Sequence, residues 1–438
     1  MSLAILDWST LAVADRRNAL RRPAHAVADE VHRGARETIA AVRARGDAAL
    51  LELTERFDGV TLARLEVSAE EFAEAERALT QVQIDALKRA IANVQRFHEA
   101  QLARPISVET SPGVRCERHF RAIESVGLYV PAGLAPLPST AVMLAVPAKI
   151  AGCKTTVICT PPRKDGRADP AVLVIAKLCG IDRVFKLGGA QAIAAMAYGT
   201  QSVPKVDKVF GPGNAWVTAA KILVANDPDG AALDLPAGPS EVLVIADDTA
   251  RADFVAADLL AQAEHSADAQ SILVSTSRAL IEAVIAELEQ QMRRLGREPT
   301  LRQSIDHARL FLVSSLDDAF ELSNEYAPEH LIIETEQPRA WLPRVRNAGS
   351  VFLGAWTPET MGDYCSGTNH VLPTYGFARA YSGLSLTDFL KRMTVQEITA
   401  DGLRDLGPTA VTIAQLEGLD AHANAVQVRL ASLQGAGT

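Results

Sequence analysis

From Ser125 onward, short β-branched apolar runs alternate with alanine-rich helical stretches, and this constrains the chain more than any other feature. The runs are Val126–Val130, Thr155–Cys159, Arg183–Lys186, Lys208–Phe210, Val242–Ala246, Ser271–Ser275, Leu310–Val313, His330–Ile333 and Ser350–Leu353. Runs that are apolar throughout suit strands buried on both faces, and helices between them suit a parallel sheet. A chain of 438 residues exceeds what one core serves. The expectation is therefore two doubly wound α/β lobes, dividing near Pro236-Ala-Gly-Pro-Ser240, with no sequence repeat relating them.

The flanks differ. Residues 1–105 read as helical and charged, with apolar residues at helical spacing over Ala26–Arg45 and Ala69–Gln101. From about Ser385 the chain reads as helix again, and Val411, Leu416, Leu419, Ala423, Val426, Val428 and Leu430 give Ala410–Leu433 a broad apolar face. A tail of this kind has to bury that face, and a partner subunit is one way to do so.

Composition narrows the function classes. A net charge of -9 argues against nucleic acid or an anionic membrane as partner, since both require a basic surface. No segment approaches a membrane span; the most apolar, Ala141–Ile150, is broken by Pro147 and Lys149. Five cysteines without a CxxC pair (Cys116, Cys153, Cys159, Cys179, Cys365) suggest neither a disulfide framework nor a thiolate zinc site. Free thiols and the lack of a leader-like N-terminus make the cytoplasm the expected compartment.

Three glycine- or proline-rich turns lie between strand and helix in one lobe: Pro131 to Thr140, Gly188-Gly-Ala-Gln191 and Gly211-Pro-Gly-Asn214. Such turns sit at the carboxyl ends of strands, where open α/β sheets bind ligands, and glycine lets backbone N–H groups approach an anion. Each taken singly is also what a tight turn needs. None is a dinucleotide fingerprint, because Trp216 stands where Gly211-Pro-Gly213 would require a third glycine.

The other lobe carries groups that could hold a metal. Gln262 and His265, three apart at the end of a helix, can converge on one ion as a mixed O/N pair. A helix C-terminus capped by histidine has the same pattern. Glu329 and His330 stand at the start of a strand, after a proline, and supply two bases; a surface carboxylate beside a packed imidazole reads identically. Asp363 lies in a long segment after the last strand, where it could complete a metal set or serve a turn. His370 in that segment could bond a polar ligand, Cys365 reads as a spectator, and His422 in the tail reads as packing or surface. On these residues alone, a dehydrogenase and a metallohydrolase using the metal and Glu329 without NAD both remain open.

The same segments resemble the histidinol dehydrogenase family over nearly the whole chain. The resemblance is carried by Leu187–Ala195, Val206–Asn214, Asp234–Asp247, Gln262-Ala-Glu-His265, Tyr326–Ile333 and Ser366–Thr374. It implies a zinc- and NAD-dependent oxidation of L-histidinol through the aldehyde to L-histidine, in a homodimer with shared active sites. Positions matching the family's zinc ligands are Gln262, His265, Asp363 and His422, the last reaching the site of the other subunit. Glu329 and His330 match the catalytic pair, and Tyr129, Gln191 and Asn214 the NAD contacts. Ser240, His370 and Glu417 fall where the substrate is held, together with Gln262, His265, His330, Asp363 and His422. The implied domains are an N-terminal appendage (1–25), a main α/β domain (26–132 plus 241–384), an NAD-contacting α/β domain (133–240) and a helical tail (385–438). One departure is Ala132, where many relatives have a second glycine.

Overall fold

The computed structural model describes residues 3–22, 28–132, 136–236 and 238–435. The expected boundary at 25/26, Gly133 to Ala135 of the first turn and Ala237 of the dividing segment lie outside these. In chain order the strands are β1 (Ile5–Asp7), β2 (Ile106–Ser111), β3 (Val114–Ala122), β4 (Ser125–Tyr129), β5 (Thr155–Thr160), β6 (Arg183–Lys186) and β7 (Lys208–Phe210). There follow β8 (Ala232–Leu233), β9 (Glu241–Ala246), β10 (Gln270–Ser275), β11 (Arg309–Leu312), β12 (His330–Glu334), β13 (Ser350–Leu353) and β14 (Leu390–Ile398).

Two parallel sheets carry the molecule. One has the order β6-β5-β4-β7-β8, the other β1-β11-β10-β9-β12-β13. Their central strands are wholly buried, as in β9 and β10, because helices cover both faces. That is why the runs lacked alternation.

Sheet membership differs from the expected division. β4 pairs with β5 and β7 at the centre of the five-stranded sheet. Helices Ala28–Arg45 and Asp47–Asp58 set Ile39, Val42, Leu50 and Leu53 against one face of that sheet, and Val94 of Gln81–Glu99 packs in the core of the other. The helices of 28–99 and β4 thus pack with the five-stranded lobe rather than with 241–384, while β2 and β3 lie in neither parallel sheet. The N-terminal appendage does the reverse: β1 extends the six-stranded sheet beside β11, and Trp8 joins its core.

A third, antiparallel sheet, β14-β3-β2, was not expected. The stretch after Ser385 is therefore not all helix. β14 runs alongside β3 from Leu390↔Ala122 to Ile398↔Val114, and its residues stay mostly exposed. Beyond it, helices Ala400–Leu416 and Asp420–Gly435 pack together, with Val426 and Leu430 closing on Gly407. Leu416, Leu419 and Val428 of the expected apolar face stay exposed, Leu416 at 82%, and so does Ile413 beside them.

Candidate active site

Glu329 and His330 owe their position to how one helix ends. Helix Leu316–Tyr326 stops at Ala327, a non-glycine residue in the left-handed region (φ 55°), whose N–H closes on Ser323 O at 2.7 Å. Pro328 then fixes the approach to β12. The result puts both side chains at the amino end of β12, Glu329 at 6% and His330 at 4% exposure. The main chain of Glu241, on neighbouring β9, holds both. Its N–H donates to Glu329 Oε2 at 2.8 Å, and its carbonyl lies 3.2 Å from His330 Nδ1.

Around this pair the carboxylates converge. Helix Glu359–Tyr364 bears Glu359 and Asp363 one turn apart on one face. His330 Nε2 is 3.5 Å from Asp363 Oδ1, and its Nδ1 is 3.6 Å from Glu329 and 4.0 Å from Glu359. His265, Glu359 and Asp363 each bring one ligand atom within 4.8 Å of the others. Gln262, fully buried at the end of helix Ala252–Ala263, turns its amide nitrogen to Glu359 at 2.9 and 3.3 Å, which leaves the amide oxygen free as a ligand.

The electrostatics match this crowding. Burial pushes the Glu329 carboxyl up to about 8, against the pull of His330. Burial also drives Glu359 well above the carboxylate range. For His330 burial acts downward, but Glu359, Glu329 and Asp363 outweigh it and raise the imidazole well above its usual value. Burial holds His370 down at about 4, with Asp363 opposing. His330 is the positive group that acts most strongly on Glu359. A pocket with this many carboxylates and so few cations suits a divalent metal. Among the described residues the buried Nε2 of His370 has no hydrogen-bond partner and that of His330 has only the 3.5 Å contact to Asp363, and a bound polar ligand would satisfy them.

Other expected residues fall in place to different degrees. Ser240 is half-buried immediately before β9, at the same end of the sheet. Glu417 and His422 lie exposed in the tail, and His422 is not part of the ligand group of this chain. The sequence reading missed Glu359. Its signal was the four-residue spacing to Asp363, which charged residues commonly show on any helix.

The segment after β13 then crosses to the other lobe. Asn369 donates to Met143 O at 2.8 Å, and Phe389 stacks on Phe210 at 4.0 Å. At the carboxyl edge of the five-stranded sheet, Tyr129 ends β4 and its hydroxyl accepts from Gly189 N–H at 3.0 Å. Gly189, at φ 62°, opens helix Gly189–Tyr198, in which Gln191 is buried. Gly211 follows β7 at φ 121°; a Cβ there would lie 2.1 Å from Tyr129 O, so no side chain fits. Asn214 caps helix Ala215–Ala225, accepting from Trp216 and Val217 N–H at 3.1 Å each. Helix N-termini, positive-φ glycines and backbone donors at one edge suit an anionic cofactor such as a dinucleotide.

Two parallel-sheet lobes, one offering helix N-termini and the other a buried acid–histidine cluster fit for a cation, define an α/β enzyme with a composite site. The chain belongs to the histidinol dehydrogenase family, whose pattern it matches over residues 20–430. It is 58% identical to a histidinol dehydrogenase of Xanthomonas oryzae pv. oryzae over 98% of this chain and 99% of that protein. It is 54% identical to one of Vibrio cholerae, again over 98% and 99%. The crystal structure of histidinol dehydrogenase from Elizabethkingia anophelis superposes with a TM-score of 0.93 at 42% identity, covering 99% of each chain. The protein is an oxidoreductase. No helix among the described residues is long and apolar enough to cross a membrane.

Proposed function

We propose that the protein oxidises L-histidinol through L-histidinaldehyde to L-histidine, the closing steps of histidine biosynthesis, as a cytoplasmic homodimer. The observation that carries this reading is the convergence of Glu329, His330, Asp363, Glu359, Gln262 and His265, in a chain of this family. Gln262, His265 and Asp363 would hold a zinc ion, completed by His422 of the partner subunit; bound there, it would orient the substrate's imidazole and amine. NAD, against Tyr129, Gln191 and Asn214, would accept the hydride of each oxidation, so two are consumed per histidinol.

This chain's own residues handle the protons. His330, in its deprotonated form, takes the alcohol proton as the carbon-bound hydrogen departs with its electron pair, giving the aldehyde. Glu329, as the carboxylate, takes a proton from the water that adds to the aldehyde, and the hydrate is then oxidised to the carboxylate. Ser240, His370 and, from the partner, Glu417 and His422 would hold the substrate through both steps. The exposed Leu416, Ile413 and Val428 beside these tail residues support a dimer, since pairing would cover them. In the test, purified protein is assayed for metal content and for NADH and histidine formed from L-histidinol. Two NADH per histidine, lost on chelation and regained with zinc, is the expected result. NAD-independent turnover, or no histidine, would overturn it.

A further inference from the structure

A side chain that frames the catalytic pair through its neighbours comes from the N-terminal segment. Arg22 is half-buried beyond helix Val13–Ala19. Its guanidinium forms a two-pronged pair with Glu241, Nε to Oε1 at 2.5 Å and Nη2 to Oε2 at 2.8 Å. The same Nη2 reaches the carbonyls of Tyr326 at 2.9 Å and Ala327 at 3.4 Å. The plane lies 3.9 Å from the Tyr326 ring, whose hydroxyl donates to Gln270 at 3.0 Å. Glu241 Oε1 also accepts from Tyr375 N–H at 2.9 Å.

Each of these partners bears on the pair. Glu241 is the residue whose N–H holds Glu329 and whose carbonyl faces His330. Tyr326 and Ala327 form the left-handed turn from which Glu329 emerges. A non-glycine residue at positive φ is strained and persists only where its surroundings hold it. Arg22 holds the carbonyl side of the turn, and the main chain of Glu241 holds the two side chains that follow it. A lysine could keep the charge but not the planar fork.

We infer that Arg22 is a positioning residue for the reaction, fixing Glu329 and His330 through Glu241 and the Tyr326–Ala327 carbonyls. This rests on the reading of Glu329 and His330 as the catalytic pair. A misplacement of roughly 1 Å in such a pair lowers turnover by about a hundredfold. Arg22 touches no proposed metal ligand, so metal affinity is spared.

The test is a double-mutant cycle on histidine formation using Arg22→Gln and Glu329→Gln, with zinc affinity by chelator competition and folding by thermal transition. Arg22→Gln is expected to lower kcat at least tenfold with KM for histidinol and zinc affinity within threefold of wild type. In the Glu329→Gln background the same change should cost several-fold less than in wild type, because one of the two groups it positions is already gone and only His330 remains to be misplaced. Arg22→Lys should not restore the rate. Equal losses in both backgrounds, or full activity of Arg22→Gln, would overturn the inference. Should Arg22→Gln not fold, Glu241→Gln, which breaks the same fork at constant volume, goes through the same cycle with the same outcomes. An inactive wild type, or a fully active Glu329→Gln, would instead sink the catalytic reading itself.

Discussion

The two lobes share a parallel-sheet architecture but use opposite edges. In the five-stranded lobe the candidate ligand groups follow the carboxyl ends of β4, β6 and β7. In the six-stranded lobe the chemistry gathers at the amino ends of β9 and β12, and the helices ending nearby present their C-termini. Helix N-termini carry partial positive charge and C-termini partial negative charge. One edge is thus suited to the phosphates of a dinucleotide and the other to a cation. The lesson is that a parallel sheet offers two binding edges of opposite polarity.

Loss of chemistry at the amino edge should have the largest effect. His330→Asn is expected to lower kcat by about 10²–10⁴-fold, measured by histidine formation with NAD binding retained. Parallel loss of NAD binding would mean the two edges do not act separately.

Next comes the carboxylate behind the ligand amide. Glu359→Gln should weaken zinc by roughly 10–100-fold in chelator competition, because one of the two carboxylate oxygens that orient the Gln262 amide becomes a donor and the site loses a negative charge. Unchanged affinity would make Glu359 a bystander, and complete loss would make it a ligand.

The carboxyl edge has its own internal pin. Lys221 and Asp234 form a buried pair, and Gly211 is bonded to both, its carbonyl to Lys221 at 2.9 Å and its N–H to Asp234 at 2.8 Å. Lys221→Met should raise the KM for NAD about tenfold and cost roughly 3 kcal/mol of stability, since Asp234 is left buried and unpaired. Zinc affinity in the same variant should not change.

The smallest effect separates stability from catalysis. Burial raises Asp258 to about 7, and it raises Glu334 to about 7 with Asp258 adding to the shift. A carboxyl whose folded pKa lies above its unfolded value of about 4 stabilises fully below that value and loses the contribution as pH rises through 7. Asp258→Asn should therefore gain on the order of 2 kcal/mol at pH 8 and little at pH 4, read from thermal unfolding across pH. A gain independent of pH would refute burial of the charge as its cause.

How much was legible follows from the range of the interactions involved. All nine expected strands are present, because double-sided burial writes itself as a local apolar run. β2, β3 and β14 escaped because β2 and β14 are largely exposed, β3 is only half-buried and polar, as in Arg115-Cys-Glu-Arg-His-Phe-Arg121, and β14 finds β3 across more than half the chain. β1 and β8 are too short to leave a pattern. In the site, the residue types at Gln262, His265, Glu329 and His330 were readable, but whether they converged was not. Arg22 and Glu359 carried no motif; their significance lies in which carbonyls and amides surround them.

By itself, then, the sequence determined the class of the fold, the family and the chemical types available to the site. Burial periodicity and motif identity are local properties, and they survive being read in one dimension. The tertiary structure decided which lobe the helices of 28–99 pack against, which sheet edge gathers the carboxylates, and that an arginine in the N-terminal segment frames a turn near residue 327. These depend on contacts between distant segments, whose free energy comes from burying particular surfaces together.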